Sequence, residues 1–541
     1  MLLKSMGVKI GVFWVLLSTF VLNSVNAQYA PIRFTLPRLP HSEISKTEFF
    51  GNPPLEGNEP SISINPNDAN DIWLAFNNNK VFHTLNGGTD WLEVETKPDV
   101  GFYGDPVIYR SASGMIYLAH LAQNPNKKWP EWFDCIVFER STNGVEFYSK
   151  CVGQNGKMQD KPWFSLDDQV KSPYKGNIYI TWTEFDKYGS SSTKDSTRIR
   201  FARSENQGAT FFDPVVVSDV SGDAEDDDKT AEGATVAVMP DGKIFCFWSR
   251  NDTLWMDESI DAGRSWGKDK FLTSMRGGWN FDGVRGVQRS NGMPFSCVDA
   301  KGRIYVGYGA ESPFGDRNVY YTVSVDGGKH FLPPIRINDD LNGADQFKPY
   351  FNIDRNTGLP RAIWYDTRNF ATGKFAQIYT ANLNGASVSK NALLSEEPCV
   401  LPGPKSFYGD YIGFDAAQGR GVAAITRYHE DIGKPCIELI YWKGNKPAVK
   451  KQDPVVMINP NIGSDSLLFL ACMPGETSFT IEIKSGRNLI TQMIFESLDP
   501  KGFASTEFQE FYLSRSKFPS GLYTMVMRRK NKAMKKNFWI N

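Results

Sequence analysis

Short runs of alternating apolar and polar residues recur along this chain, most of them led in by a polar or small residue. Glu59-Pro60-Ser61-Ile62-Ser63-Ile64 is the first and Asp105-Pro106-Val107-Ile108-Tyr109 the second. Further runs begin near Lys161-Pro162-Trp163, Glu232-Gly233-Ala234, Met293-Pro294-Phe295, Lys348-Pro349-Tyr350 and Gly409-Asp410-Tyr411. A period of two predicts strands with one buried face. Most runs continue through a turn into a second strand, as at Asp241-Gly242-Lys243-Ile244 and Lys301-Gly302-Arg303-Ile304. The seven units span roughly 46 to 72 residues, room for four strands in each.

A turn motif interleaves with these runs: Ser or Thr, any residue, Asp or Asn, then Gly and an aromatic. Copies are Thr84-Leu85-Asn86-Gly87-Gly88-Thr89-Asp90-Trp91, Ser204 to Phe211, Ser259 to Trp266 and Ser324 to Phe331. Ser141 to Phe147 is a shortened copy and Thr380 to Gly385 a decayed one. The carboxylate or amide oxygen can accept the turn's own N–H groups, and Gly supplies a positive φ. Repeated four-stranded units shelter their edges by radial closure, so the predicted fold is an all-β, seven-bladed β-propeller over residues 28–446. Six blades result if one unit is misread. The last unit is short of an outer strand after Ile437 to Trp442, and Ile32 to Leu36 is expected to supply it. Residues 447–541 have no turn motif and read as a small C-terminal β-sandwich.

Composition sharpens this picture. Aromatics make up 13 % beside 47 Gly and 31 Pro, a mixture suited to strands joined by tight turns. Lys plus Arg total 60 against 61 Asp plus Glu, so no global charge draws the chain to nucleic acid or anionic membrane. The basic stretch Arg528 to Lys536 reads as a solvated strand and turn. Lys4 and Lys9 precede the apolar run Ile10 to Leu22, and Val25-Asn26-Ala27 ends in a small residue, so residues 1–27 read as a secretory signal peptide. No later segment is apolar enough to span a membrane. Seven Cys fit no zinc pattern; Cys135 and Cys151 flank a hairpin and could pair, and Cys246 reads as a buried free thiol.

In a propeller, ligands meet the mouth where first strands begin and second strands end. Strand starts bring Glu59, Asp105, Asp160, Lys161, Glu232, Lys348, Tyr408 and Asp410, and second-strand ends bring His120, Glu184, Asp186, Arg250, Asp366, Arg368 and Arg427. Carboxylates for acid–base work, Arg forks and aromatic faces are what a glycan site needs. A different arrangement of the same residues would be inter-blade salt bridges. Asp105 and Asp160 are candidate acids, and Glu184, Asp366, Arg368 and Arg427 candidate substrate contacts. Asp226, Asp227 and Asp228 offer oxygen ligands of the kind Ca²⁺ takes, or form an acidic solvent loop; no other cofactor is expected.

The repeated turn resembles the Asp-box, or BNR repeat, of sialidase-like propellers, over about 390 residues. The resemblance implies an exported glycoside hydrolase acting on extracellular or surface glycans, or a non-catalytic propeller binding glycan or protein at the same face. Sialidases pair a nucleophilic Tyr with a Glu and clamp the substrate carboxylate with Arg. Glu232 to Asp241-Gly242, running on to Arg250, is similar to the segment carrying that Glu and one Arg. Arg317 resembles a second clamp residue, and Tyr408 falls where the nucleophile is expected. Two features depart from the family. Asn58-Glu59-Pro60 stands where it has Arg-Ile-Pro, and the loop after Phe76, which should hold the general acid, is only Asn77-Asn78-Asn79-Lys80. Phe518-Pro519-Ser520-Gly521-Leu522-Tyr523 and the basic tail resemble the type A sorting domain of type IX secretion in Bacteroidota. That resemblance implies contact with the secretion machinery, followed by release or attachment at the cell surface.

Overall fold

The computed structural model describes residues 32–36, 46–280, 284, 286–370, 372–395 and 397–443. Of the C-terminal segment it describes 455–459, 466–472, 478–497, 509–514, 516, 518, 519, 521–529 and 532–540. The expected signal peptide, residues 1–27, lies outside the described residues. The described elements are β-strands almost throughout, and no helix among the described residues is long and apolar enough to cross a membrane.

Among the described residues, seven antiparallel sheets follow one another along the chain, each running from an inner to an outer strand. The innermost strands are Ser61–Asn65, Val107–Arg110, Met158–Leu166, Glu232–Val238, Phe295–Val298, Gln346–Asp354 and Gly413–Ala417. Each contacts the next, and Gly413–Ala417 returns to Ser61–Asn65, so the order is cyclic. This is a β-propeller.

Closure differs from the sequence expectation. Lys46–Phe49, not Ile32–Leu36, is the outer strand of the seventh sheet, paired antiparallel to Lys434–Lys443 with Phe49 opposite Glu438. Ile32–Leu36 instead runs parallel to Asn488–Ser497, at the edge of a five-stranded sheet in the C-terminal segment. Both segments are short and strand-forming, and the chain between them has no periodicity that would select one partner over the other. Val455–Asn459, Ser466–Cys472 and Gln509–Ser514 form a separate three-stranded sheet.

Large side chains fill the gaps between sheets. Trp73, Trp182, Trp248 and Trp364 lie on the second strands of the first, third, fourth and sixth sheets and are fully buried. The repeated turns act as inter-sheet contacts as well as hairpin turns. In the Ser259 copy, Ser259 Oγ donates to Asp261 and accepts from the N–H of Gly263, while Asp261 accepts from the N–H groups of Arg264 and Ser265. Gly263 has φ +80°, and a Cβ there would lie 2.2 Å from the Phe201 ring of the preceding sheet. The turns at Gly144, Gly208 and Gly328 press on Trp73, Phe138 and Phe245 in the same way. Cys135 and Cys151 are joined in a disulfide, and Cys246, Cys297, Cys399 and Cys436 are free and buried.

Candidate functional site

Four inner strands are entered through a residue in the left-handed region: Glu59 (φ 53°), Asp105 (φ 54°), Lys161 (φ 52°) and Lys348 (φ 48°). Each precedes Pro, a context that disfavours helical backbone before it, and left-handed geometry costs a non-Gly residue about 1–2 kcal/mol. Gly233 and Gly409 hold the equivalent positions in the fourth and seventh sheets. The strand register slips just after the position in the third, fourth and sixth sheets, as at a β-bulge.

Lys161 Nζ is the hub. It lies 2.8 Å from Asp105 Oδ2, 2.6 Å from Asp410 Oδ2 and 3.5 Å from Glu59 Oε1, joining four sheets through one ammonium. Asn77 Nδ2 donates to Glu59 Oε2 at 2.6 Å while Asn77 Oδ1 accepts the N–H of Asp105, and the N–H of Asp410 donates to Glu59 Oε1. Gly409 lets Glu59 approach, since a Cβ there would lie 2.5 Å from Glu59 Cγ. Arg289 donates through Nε and Nη2 to the two oxygens of Asp410 and through Nη1 to Asp226. Lys348 Nζ donates to the carbonyl of Gly409. Six acids (Glu59, Asp105, Asp160, Asp226, Glu232 and Asp410) thus share a neighbourhood with three bases, Lys161, Arg289 and Lys348.

Acids in excess and away from water must keep protons. Burial, with Asp105 adding to it, pushes Glu59 from 4.5 up to about 8. Burial, only partly offset by Lys161, pushes Asp160 to about 6, and burial also raises Asp105. Glu232 is raised well above its ordinary range by burial and then by Asp226 and Asp160. It is fully buried, and neither of its oxygens has a hydrogen-bond partner. Asp410 goes the other way: burial would raise it, but Arg289 and Lys161 outweigh burial and keep it ionised. Burial lowers Lys348 to about 7.

Glu59, Asp105, Asp160 and Lys161 line a pocket of about 480 Å³. One wall is aromatic: the ring centroids of Tyr103 and Phe133 lie 6.2 Å apart, those of Phe133 and Tyr188 5.3 Å, and those of Trp129 and Tyr188 6.3 Å. Arg289, Lys405, Ser406 and Phe407 line it too. Beyond its floor, Trp163, Phe295, Tyr350 and Tyr411 pack edge-to-face or tilted.

Among the residues expected at the mouth, Asp105 and Asp160 line this pocket and Glu232 lies against its charged floor. Tyr408 does not meet Glu232. Its Oη donates to the carbonyl of Val400 and accepts the N–H of Tyr428, inside an apolar cluster with Ile363 and Ile425. The nucleophile expectation is corrected accordingly: the hydroxyl is spent on backbone groups. The second-strand ends share an end of the ring with the strand starts, Glu184 opposite Gln159 and Asp366 opposite Gln346, but stand one strand further from the axis. There they pair with near neighbours. Glu184 binds Arg198 and Asn155, Asp366 binds Arg368 and the indole of Trp364, and Arg427 binds Glu438 and Glu397. Arg250 lies over the Trp255 ring, and Arg317 faces Glu311 and Asp345. Neither Arg250 nor Arg317 bonds to Glu232.

Asp226 accepts from Tyr188 and Arg289, Asp227 from the N–H of Lys229, and Asp228 from the N–H of Asp252. The three carboxylates face different partners, and among the described residues no group of three or more His, Cys, Asp or Glu gathers to hold a metal. Sequence reasoning missed Arg289, Tyr188 and Trp129. All three sit outside the strand starts and ends that periodicity marks, so no local signal identifies them.

No family model matches the chain, and no curated protein matches it. Solved structures do. An ulvan lyase of a polysaccharide lyase family, bound to -[GlcA(1-4)Rha3S]-, is 11 % identical at a TM-score of 0.42, covering 71 % of this chain and 93 % of its own. The NanB sialidase of Streptococcus pneumoniae is 10 % identical at a TM-score of 0.41, covering 66 % of this chain and 70 % of its own. YCF48 bound to a D1 peptide is 9 % identical at a TM-score of 0.39, covering 75 % and 98 %. Glycan-acting enzymes and a peptide-binding protein are alike among its structural neighbours, so the chemistry of this chain rests on its own pocket.

Proposed function

We propose that the axial pocket is a glycan site that cleaves a glycosidic bond by acid–base chemistry. The observation that carries this reading is the convergence of Glu59, Asp105 and Asp160 around Lys161 beneath an aromatic wall. Glycoside hydrolysis needs one carboxyl that keeps its proton and one that has lost it. Glu59 and Asp105 form the protonated pair, and Asp105 presents that proton to the leaving oxygen. Asp160, ionised above about pH 6, is the base: it takes a proton from the water whose oxygen bonds to the anomeric carbon as the bond to the leaving oxygen breaks. Tyr103, Trp129 and Phe133 supply faces for sugar rings.

The test is a screen of the purified protein against glycosides and polysaccharides, alongside Asp160→Asn and Asp105→Asn. Cleavage lost in both variants supports the reading; cleavage unaffected by either rejects it. Binding without cleavage is the second reading, favoured by the burial of Glu59 at 1 % exposure. It predicts saturable glycan binding and no product from the wild-type protein.

The cyclic contacts of the inner strands support a seven-bladed count, with Lys46–Phe49 as the closing strand. The two C-terminal sheets are proposed to stack as a sandwich that acts as a type IX sorting domain, delivering the propeller outside the cell. Deleting residues 447–541 should then leave the protein unsecreted while the propeller still folds.

A further inference from the structure

We infer that Ile32–Leu36 is a non-covalent latch: by adding a strand to the C-terminal sheet, it keeps that sheet on the propeller even when the chain joining the two is cut. Addition of an extended segment to an open sheet edge is a recurring mode of peptide binding. The other pairings of the five-stranded sheet are antiparallel and join strands drawn from residues 478–540. Among the described strands of that sheet, Ile32–Leu36 alone pairs parallel, with Ile32 opposite Met493, Phe34 opposite Phe495 and Leu36 opposite Ser497. Parallel neighbours require a crossover connection, and here the crossover is the entire propeller. The register also matches the pattern of the sheet. Ile32, Phe34 and Leu36 are the apolar members of an alternating run, and the first two stand across from Met493 and Phe495, which are buried with Phe479, Ile481 and Met527. Without this strand, Asn488–Ser497 is an edge with unpaired backbone groups, ready to take one.

The seventh sheet shows why a segment so far away in sequence can serve. Lys46 lies opposite Tyr441, so Lys46 and Lys443 stand at the same end of that sheet. Nine residues lead back from Lys46 to Leu36, and eleven lead on from Lys443 to Val455. Both connections to the C-terminal segment therefore leave the propeller side by side, and the shorter one reaches at most about 35 Å. One connection is covalent. The other is held by five residue pairs of backbone ladder, and it persists when the first is hydrolysed.

The experiment inserts a protease site between Gly444 and Asn445 of the full chain and cuts it after folding. On size-exclusion chromatography at tens of micromolar, the two cut pieces of the otherwise wild-type protein should co-elute. The double variant Arg33→Pro/Phe34→Pro should separate into two peaks after the same cut. Successive N–H groups point to opposite sides of a strand, so one of the two prolines removes a donor facing Asn488–Ser497. Replacing Ile32–Leu36 by Gly-Ser repeats should give the same separation without proline. In the uncut protein, hydrogen exchange within Asn488–Ser497 should quicken at least tenfold in both variants. Separation of the cut wild-type pieces overturns the inference. Co-elution that survives both variants overturns it as well, since adhesion would then lie elsewhere, and so does exchange that neither variant changes. The glycan reading of the pocket stands or falls independently of these results.

Discussion

Replacing Glu59 by Gln keeps the shape of the side chain and an oxygen to accept the N–H of Asp410, but removes the titrating proton. In the wild-type protein the group moves from an ordinary 4.5 to about 8 on folding, chiefly because it is buried. Between those values the unfolded chain has released the proton and the folded chain still holds it. Stability therefore falls as pH rises, by about 1.36 kcal/mol per pH unit. From 4.5 to 8 the loss accumulates to about 5 kcal/mol at most, since Asp105 and Lys161 share in the titration. The amide avoids this cost but opposes an N–H₂ to Asn77 Nδ2, sacrificing one hydrogen bond worth about 1 kcal/mol. The two stability curves should cross: the wild-type protein more stable near pH 5, Glu59→Gln more stable by a few kcal/mol near pH 9. Urea midpoints at half-unit steps between those limits measure it, and titrating groups remote from Glu59 cancel in the difference. Parallel curves would mean that Glu59 is ionised in the folded protein, and the proton it shares with Asp105 in the proposed mechanism would be gone.

Asp160→Asn should lower turnover by about 10²–10⁴-fold, the range for loss of a general base, and abolish the acid limb near pH 6 in the pH–rate profile. Gly263→Ala forces a side chain into left-handed backbone and onto Phe201, which should cost about 2–5 kcal/mol from strain and overpacking together, read as a lower denaturation midpoint with unchanged KM. Tyr408→Phe leaves the carbonyl of Val400 and the N–H of Tyr428 unpaired in the core, about 1–3 kcal/mol each. Its activity per folded molecule should stay within about twofold, whereas a nucleophilic hydroxyl would make the variant inactive.

The repeated turns were legible because their chemistry is local: Ser259, Asp261 and Gly263 complete one another within five residues, whatever surrounds them. Strand alternation likewise revealed the inner strands, since burial of one face imposes a period of two. The acids at the strand starts were visible for the same reason, as the entry points of a repeated unit.

Which of those acids act together was not legible. Lys161 reaches Glu59, 102 positions away, and Glu59 meets Asp410, 351 positions away, only because the ring closes. Glu184, Asp366 and Arg427 carry the same side-chain chemistry as the pocket groups, yet one strand of added radius pairs them with groups of their own sheet instead. Tyr408 and Glu232 open adjacent-looking motifs, but one hydroxyl is consumed by backbone and one carboxyl is left without a partner. Local sequence determined the strands and turns because their hydrogen bonds close within a unit; distance from the axis, partner choice and protonation were decided by the closed ring, because burial and charge are sums over residues far apart along the chain.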